Sequence, residues 1–383
     1  MKKIFVISAG RSDYDRYYPI INTLNKNKNI KLFIFISNAH KQKKFGKTQK
    51  YIDKKFKILN SKNISKYQKD NPQIVLKNFS EDLLNLAKKI KLNKPDIIIV
   101  MGDRFEMLLG SISAIPFNIP VIHFYGGAVT QGSTDELVRH AITKMSHYHF
   151  PVLKEYSKRV EQMGEEKKRI KTIGLHEIKY FKDKNYKTGK NIKKIFRNMR
   201  KPFLLVTFHP VTLELDKLNK QIRSLFKAIK KTKMNAIFTY PNADVGHEKI
   251  ISFLKKNLKN HKKYSLIKNC GSSEYFNLLK NCFAIVGNSS SGIVEAASFK
   301  IPCINIGTRQ SGKFFPDNVI NSKYGWKDIY KSILKAKQKS FQNKIKSIKN
   351  PYESNYSLKK LSLIIGNINK NDKTLRKKFV DFA

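Results

Sequence analysis

The sequence predicts an α/β protein built from two doubly wound, Rossmann-like parallel sheets. Three observations carry that expectation. Short runs of Ile, Val, Leu and Phe recur along the chain, each bounded by Gly, Pro, Asn or Asp. Longer Lys-faced segments with helical spacing alternate with them, and apolar runs spaced in this way read as strands covered on both faces. The 383 residues are 40 % hydrophobic, enough for two cores of ordinary domain size.

The first series of strands is predicted at 4–9 (IFVISA), 31–37 (KLFIFIS), 95–102 (PDIIIVMG), 120–126 (PVIHFYG), 147–152 (HYHFPV) and 170–174 (IKTIG). A second series is predicted at 202–210 (PFLLVTFHP), 235–241, 264–269, 282–288 and 302–307. The Lys/Asn-rich stretch 181–200 breaks the rhythm and reads as the linker between domains at 1–180 and 201–355. Residues 338–350 read as a Lys-rich helix or linker. The end, 356–383, holds an amphipathic helix, LKKLSLIIGNI, and a basic tail expected to fray.

The opening MKKIFVISAGR resembles a signal peptide only briefly. Its apolar run stops at Arg11 with no small-residue cleavage site, so a first buried strand is the better reading. No run approaches the length of about 18 apolar residues that a membrane span requires. Cys270, Cys282 and Cys303 are too few and too scattered for a disulfide framework or a zinc site, and a reduced, cytoplasmic setting is expected.

The charge is the oddity: 77 basic against 28 acidic residues give +49. A charge of that size suggests nucleic acid or an anionic surface. Yet 66 of the 77 are Lys and 11 are Arg, whereas base and phosphate readout favours the bidentate Arg fork. The lysines are spread along the whole chain, which reads as solvated faces rather than a binding block, so no specific nucleic acid or membrane partner is expected.

In open parallel sheets, ligands sit beyond the carboxyl ends of the strands. After the first strand come Gly10, Arg11 and Asp13; after the third, Gly102, Asp103 and Arg104. Asp103 closes a very apolar run, where a carboxylate serves as a general acid or base, or else pairs with Arg104. Asp135, Glu136, Arg139 and His140 lie within two turns of one helix, and Asp135 and Arg139 have the i, i+4 spacing of a surface pair. His209 ends LLVTF. The segment GNSSSGIVEAASF (287–299) runs from a strand through a hydroxyl-rich turn into a helix, which suits either a diphosphate or a plain Ser cap. His123, His147 and His149 have no acidic or Cys partner at ligand spacing, so no metal is expected. Neither G-x-G-x-x-G nor G-x-x-x-x-G-K-[ST] is present.

The ordered set SAGRSDYDRYYPII, MGDRFEML, HFYGGAVTQGSTDELVRHAITKMSHYHFP, LVTFHPVT, YPNADVG and GNSSSGIVEAASFKIPCINIGTRQSGK resembles the hydrolysing UDP-N-acetylglucosamine 2-epimerases of sialic and legionaminic acid biosynthesis. The resemblance covers nearly the whole chain. It implies a fold of glycosyltransferase GT-B type, with a sugar-side first domain and a nucleotide-side second domain facing a cleft. It also implies that the C-terminal helix packs back on the first domain. Carried over by position, Asp103 and Asp135 match acids at the sugar, with Glu136 beside them, and His209 matches a catalytic histidine. Arg11, Arg104, Arg139 and Arg309 match basic positions at the substrate; Tyr275 lies near the base; Ser290, Ser291, Gly292 and Glu295 fall in the diphosphate and ribose segment.

One departure stands out. Where the family has H-x-[EH]-G-G-E, this chain has HFYGGA, with Tyr125 and Ala128 in place of the acidic or histidine side chains. A phenol has an ordinary pKa of about 10 and is a poor base, so Tyr125 is expected to pack or to donate one hydrogen bond to the sugar. The implied reaction takes a proton from C2 of the sugar while the nucleoside diphosphate leaves C1, and water then adds to the glycal. A nucleotide sugar is the expected partner, a homodimer is a compatible assembly, and no cofactor is implied. The alternatives are a non-hydrolysing epimerase or a glycosyltransferase on the same architecture and, from another class, a basic nucleic-acid-binding protein.

Overall fold

The computed structural model describes residues 1–41, 48–60, 71–131, 134–183, 202–242, 244–259, 261–268 and 271–381. Most of the predicted linker and Cys270 lie outside the described residues, as does the side chain of Arg11.

Among the described residues, twelve strands form two six-stranded sheets whose neighbours all pair in parallel. The first holds β1 (Lys2–Ser8), β2 (Ile30–Ile36), β3 (Lys57–Asn60), β4 (Ile97–Met101), β5 (Val121–Phe124) and β6 (Tyr148–Phe150), in the order β3-β2-β1-β4-β5-β6. The second holds β7 (Phe203–Thr207), β8 (Asn235–Thr239), β9 (Tyr264–Ile267), β10 (Ala284–Gly287), β11 (Cys303–Ile306) and β12 (Val319–Ser322), in the order β12-β11-β10-β7-β8-β9. Each sheet begins at its centre, builds outward on one side, then returns to build on the other. The strand order therefore reverses between β1 and β4 and again between β7 and β10, the switch points where such sheets bind ligands.

Two edge strands, β3 (KILN) and β12 (VINS), are not foreseen by the sequence pattern. They are short and carry too little apolar signal, because an edge strand is not buried on every side. The segment 170–174, predicted as a strand, is not one. It runs beside β6 through a single bridge from His149 to Ile170 and through backbone bonds from Lys171 to His149 and from Ile173 to Pro151.

Two compact units result: Met1–Ala128 with Thr134–Tyr180 and Ser354–Ala383, and Val129–Ser133 with Phe181–Glu353. In the first, Phe5, Ile7, Ile98 and Val100 of the central strands pack against Leu86 and Ile90 of the helix Pro72–Asn93. In the second, the helix Leu218–Thr232 buries Leu218, Ile222, Leu225 and Ile229, a single helical stripe, on β7, β8 and β10. Each such side chain contributes about 1.5–3 kcal/mol relative to exposure.

The C-terminal segment forms the predicted helix at Leu358–Asn367, capped by Ser357, and belongs to the first unit. The tail beyond it, expected to fray, makes specific contacts among the described residues. Arg169 donates to the carbonyls of Thr374 (2.8 Å) and Lys373 (2.9 Å), and the Val380 amide bonds to Gly164. Lys377 lies 2.9 Å from the buried Glu165 carboxylate. Burial raises the Glu165 carboxyl, but hydrogen bonds from His149, Lys144 and Lys377 outweigh it and hold the group at about 2. Among the described residues, no helix is long and apolar enough to cross a membrane.

Candidate active site

In the first unit, the loops after β1 and β4 meet at the switch point. A Cβ on Gly10 would lie 3.2 Å from Arg104 Nη1, the far end of a flexible side chain, and 3.5 Å from Asp13 Oδ1. Arg104 turns to Glu106 (3.5 Å) rather than serving as the salt-bridge partner of Asp103. Asp103 instead ion-pairs with Arg139, which reaches it from the helix Asp135–Met145. Arg139 is 1 % exposed, whereas the Asp103 side chain is 35 % exposed. A guanidinium this deep is held by its partners, and its Nη1 also donates to the Ala128 carbonyl at 2.7 Å. Arg139, expected on the substrate, is ion-paired with Asp103. Helical spacing puts Asp135 on the Arg139 face, while Glu136 lies 3.6 Å from His140.

His123 lies beneath these loops with its ring fully used: Nε2 donates to the Gly102 carbonyl at 2.8 Å and Nδ1 lies 3.1 Å from Thr143 Oγ1. Burial drives its pKa down to about 3, so it is a neutral structural support. Tyr125 follows β5 with φ +66°, and its hydroxyl donates to Glu177 Oε2 at 3.2 Å. Burial, then the Glu177 charge, pushes the phenol well above its ordinary value, which removes it as a base. Of the two expected roles, packing or one hydrogen bond to the sugar, the buried ring shows the packing, and its hydroxyl bonds to protein.

In the second unit, β7 and β10 pair side by side, with Gly287 opposite Thr207. A Cβ on Gly287 (φ +144°) would sit 1.9 Å from the Thr207 carbonyl oxygen, so only glycine fits. The next residue, Asn288, clamps the two loops: its Oδ1 accepts from the His209 amide (2.7 Å), and its Nδ2 donates to the His209 carbonyl (2.8 Å). The His209 ring accepts at Nδ1 from the Asn242 amide (3.0 Å). Burial, reinforced by the Arg309 guanidinium, holds this imidazole well below its ordinary pKa. With Nδ1 accepting, the uncharged ring carries its proton on Nε2. Arg309 lies 3.3 Å from the Asn288 carbonyl and 3.6 Å from Asp244, and Gln310 donates to the same carbonyl at 2.9 Å.

Ser289 caps the helix Ser290–Val294, accepting from the Ser291 amide. That helix has only five residues, and Glu295, expected one turn inside it, is its C-cap. Gly292, expected on the substrate, is a packing glycine: a Cβ there would meet Cys303 Sγ at 2.4 Å. Ser291 Oγ is buried and has no hydrogen-bond partner among the described residues. Tyr275 sits half-buried on the helix Gly271–Asn281, edge-on to Phe276 with ring centroids 6.2 Å apart. Sequence reasoning does not assign Asn288, Gln310 or Glu177. The first two lie inside the quoted motifs and are legible there; Glu177 lies in none of them.

The first unit thus presents a carboxylate on a buried guanidinium, and the second a hydroxyl-rich turn with an arginine. The model of the UDP-N-acetylglucosamine 2-epimerase family matches residues 22–366. The chain belongs to that family. The GDP/UDP-N,N'-diacetylbacillosamine 2-epimerase (hydrolyzing) of Campylobacter jejuni is 36 % identical over 355 residues, 89 % of each chain. The UDP-N,N'-diacetylbacillosamine 2-epimerase (hydrolyzing) of Legionella pneumophila is 32 % identical, over 88 % of this chain and 90 % of its own. These relatives identify the protein as an enzyme of the hydrolysing 2-epimerase kind. The fold of the Methanocaldococcus jannaschii UDP-GlcNAc 2-epimerase, solved with UDP-GlcNAc and UDP, is shared at a TM-score of 0.77 and 21 % identity, over 95 % of this chain and 99 % of that one.

Proposed function

We propose that this epimerase converts a UDP-linked N-acetylglucosamine-type sugar, with water, to UDP and the free N-acetylmannosamine-type sugar. Asp103 takes the proton from C2 as the C1–O bond breaks and its electron pair leaves with the diphosphate. The C1–C2 double bond of the glycal results. Water then adds across it: a proton returns to C2 from the opposite face, and hydroxide is delivered to C1. Asp135, assisted by Glu136, handles the second proton. The C2 proton is weakly acidic, so the base must be well placed and the leaving charge well stabilised.

Arg309 and Ser290, with Arg11 and Arg104, stabilise that charge, and His209 Nε2–H adds a neutral donor. Ser291 Oγ, a buried hydroxyl with no partner among the described residues, is satisfied by a phosphate oxygen. Glu295 takes the ribose hydroxyls, and Tyr275 the base. The observation that carries the reading is the Asp103–Arg139 pair, because it fixes a carboxylate, still open to solvent, at the β4 carboxyl end where such sheets bind ligands. A nonulosonic (sialic or legionaminic) acid route is the proposed setting, since it consumes a free amino sugar.

The test is incubation with a panel of UDP- and GDP-sugars and NMR analysis of what is released. A mannosamine-configured free sugar with equimolar UDP is expected. A nucleotide-linked epimer without released UDP would reject the reading. The names of the two relatives favour a second substrate, a 2,4-diacetamido-trideoxy sugar, which the panel includes.

A further inference from the structure

The loop from Tyr125 to Ala128 carries more constraint than a connection of four residues needs. Tyr125 is held at φ +66°, a left-handed conformation that a bulky side chain adopts only when its surroundings impose it. Its amide bonds to the Phe150 carbonyl at 2.9 Å. A Cβ on Gly126 would press on His123 Nδ1 at 2.8 Å, and one on Gly127 on the Tyr156 carbonyl oxygen at 2.3 Å. Arg159 donates to the Gly127 carbonyl, and Ala128 presents its own carbonyl to Arg139. The loop thus sets where the Arg139 guanidinium lies, and Arg139 sets where Asp103 lies.

The far end of this chain of contacts is Glu177. It sits in the first turn of the helix His176–Asp183, is 2 % exposed, and accepts the Tyr125 hydroxyl at 3.2 Å. Arg16 Nε lies 3.9 Å from its other oxygen. A buried carboxylate is costly unless it is paired and hydrogen-bonded, so its position here has to be explained by what it holds. It holds the strained Tyr125 at the head of that loop.

We propose that Glu177 is a positioning residue for the epimerisation: with Tyr125 it forms a latch that fixes the 125–128 loop and, through the Ala128 carbonyl and Arg139, the Asp103 carboxylate. The inference rests on the proposed reaction, and the experiment separates the two.

Wild type is assayed first for release of UDP from the nucleotide sugar, followed by Tyr125→Phe, Glu177→Leu, Glu177→Gln and the Tyr125→Phe/Glu177→Leu double variant, each checked for folding by circular dichroism. Tyr125→Phe, an isosteric change, and Glu177→Leu each lower kcat on the order of a hundredfold, the scale of a small misplacement of a reacting group, with KM nearly unchanged. Glu177→Gln, which still accepts the phenol, keeps kcat within about tenfold of wild type. The double variant is no slower than the worse single one, because both changes break one latch. Wild-type kcat in a folded Tyr125→Phe variant, multiplying losses in the double variant, or Glu177→Gln as slow as Glu177→Leu would each overturn the inference while the reaction stands. Absence of turnover by wild type would overturn the reaction and the inference with it.

Discussion

Asp103 and Glu177 are both carboxylates in a chain with few acids, yet one is legible in the sequence and the other is not. Asp103 ends IIIVMG, and an acid beyond the carboxyl end of so apolar a strand has its place in the fold dictated by that strand alone. Glu177 gains its place through tertiary contacts, that with Tyr125 reaching back 52 positions, and no spacing rule reaches that far. The same limit hides the partner of Arg139: helical periodicity offers Asp135, and the structure supplies Asp103 from another element. Asp103→Asn keeps the shape and removes the base, so turnover falls by a hundredfold or more, about the scale of lost acid–base catalysis, with the fold intact. Near-normal turnover of the folded variant would take Asp103 out of the reaction. At the other sheet, Ser290→Glu puts a negative charge where the diphosphate is proposed to bind. UDP affinity measured by calorimetry should drop, and unchanged affinity would move the phosphates elsewhere.

Among the elements, the central strands are the readable ones, because burial on both faces leaves continuous apolar runs such as FLLVT and IIIVM. The edge strands KILN and VINS, half open to solvent, lack that pattern, and IKTIG has it without forming a strand. The positive φ at the end of β10 cannot be read from periodicity either, although Gly287 is its mark. Gly287→Ala forces a Cβ into the Thr207 carbonyl at a positive φ, and the strain and overpacking should cost at least about 2 kcal/mol. Chemical denaturation should report that loss together with weaker UDP binding, because Asn288 and His209 are aligned by the same contact. A variant with wild-type stability would show that the two strands have room to part.

Across the whole molecule, the formal charge of +49 repels itself and lowers the stability of any compact state. Added salt should raise the midpoint of thermal unfolding, since screening acts first on exposed charge. Acid should lower it. Burial holds His40 and His147 at about 4 and His123 at about 3, below the ordinary histidine value. The unfolded chain therefore binds more protons than the folded one as pH falls below about 6.5. Stability contributed by keeping these rings neutral is fully present above that pH and is lost progressively down to about pH 3–4, at up to about 1.4 kcal/mol per pH unit for each ring. An unfolding midpoint independent of pH between 7 and 4 would contradict this. The chemistry itself is tested most directly by running the reaction in deuterium oxide and examining the released sugar by NMR. Removal of the C2 proton and its replacement from solvent predict a free mannosamine-configured sugar carrying deuterium at C2, with equimolar UDP; a free sugar of unchanged configuration that keeps its C2 proton would contradict the account.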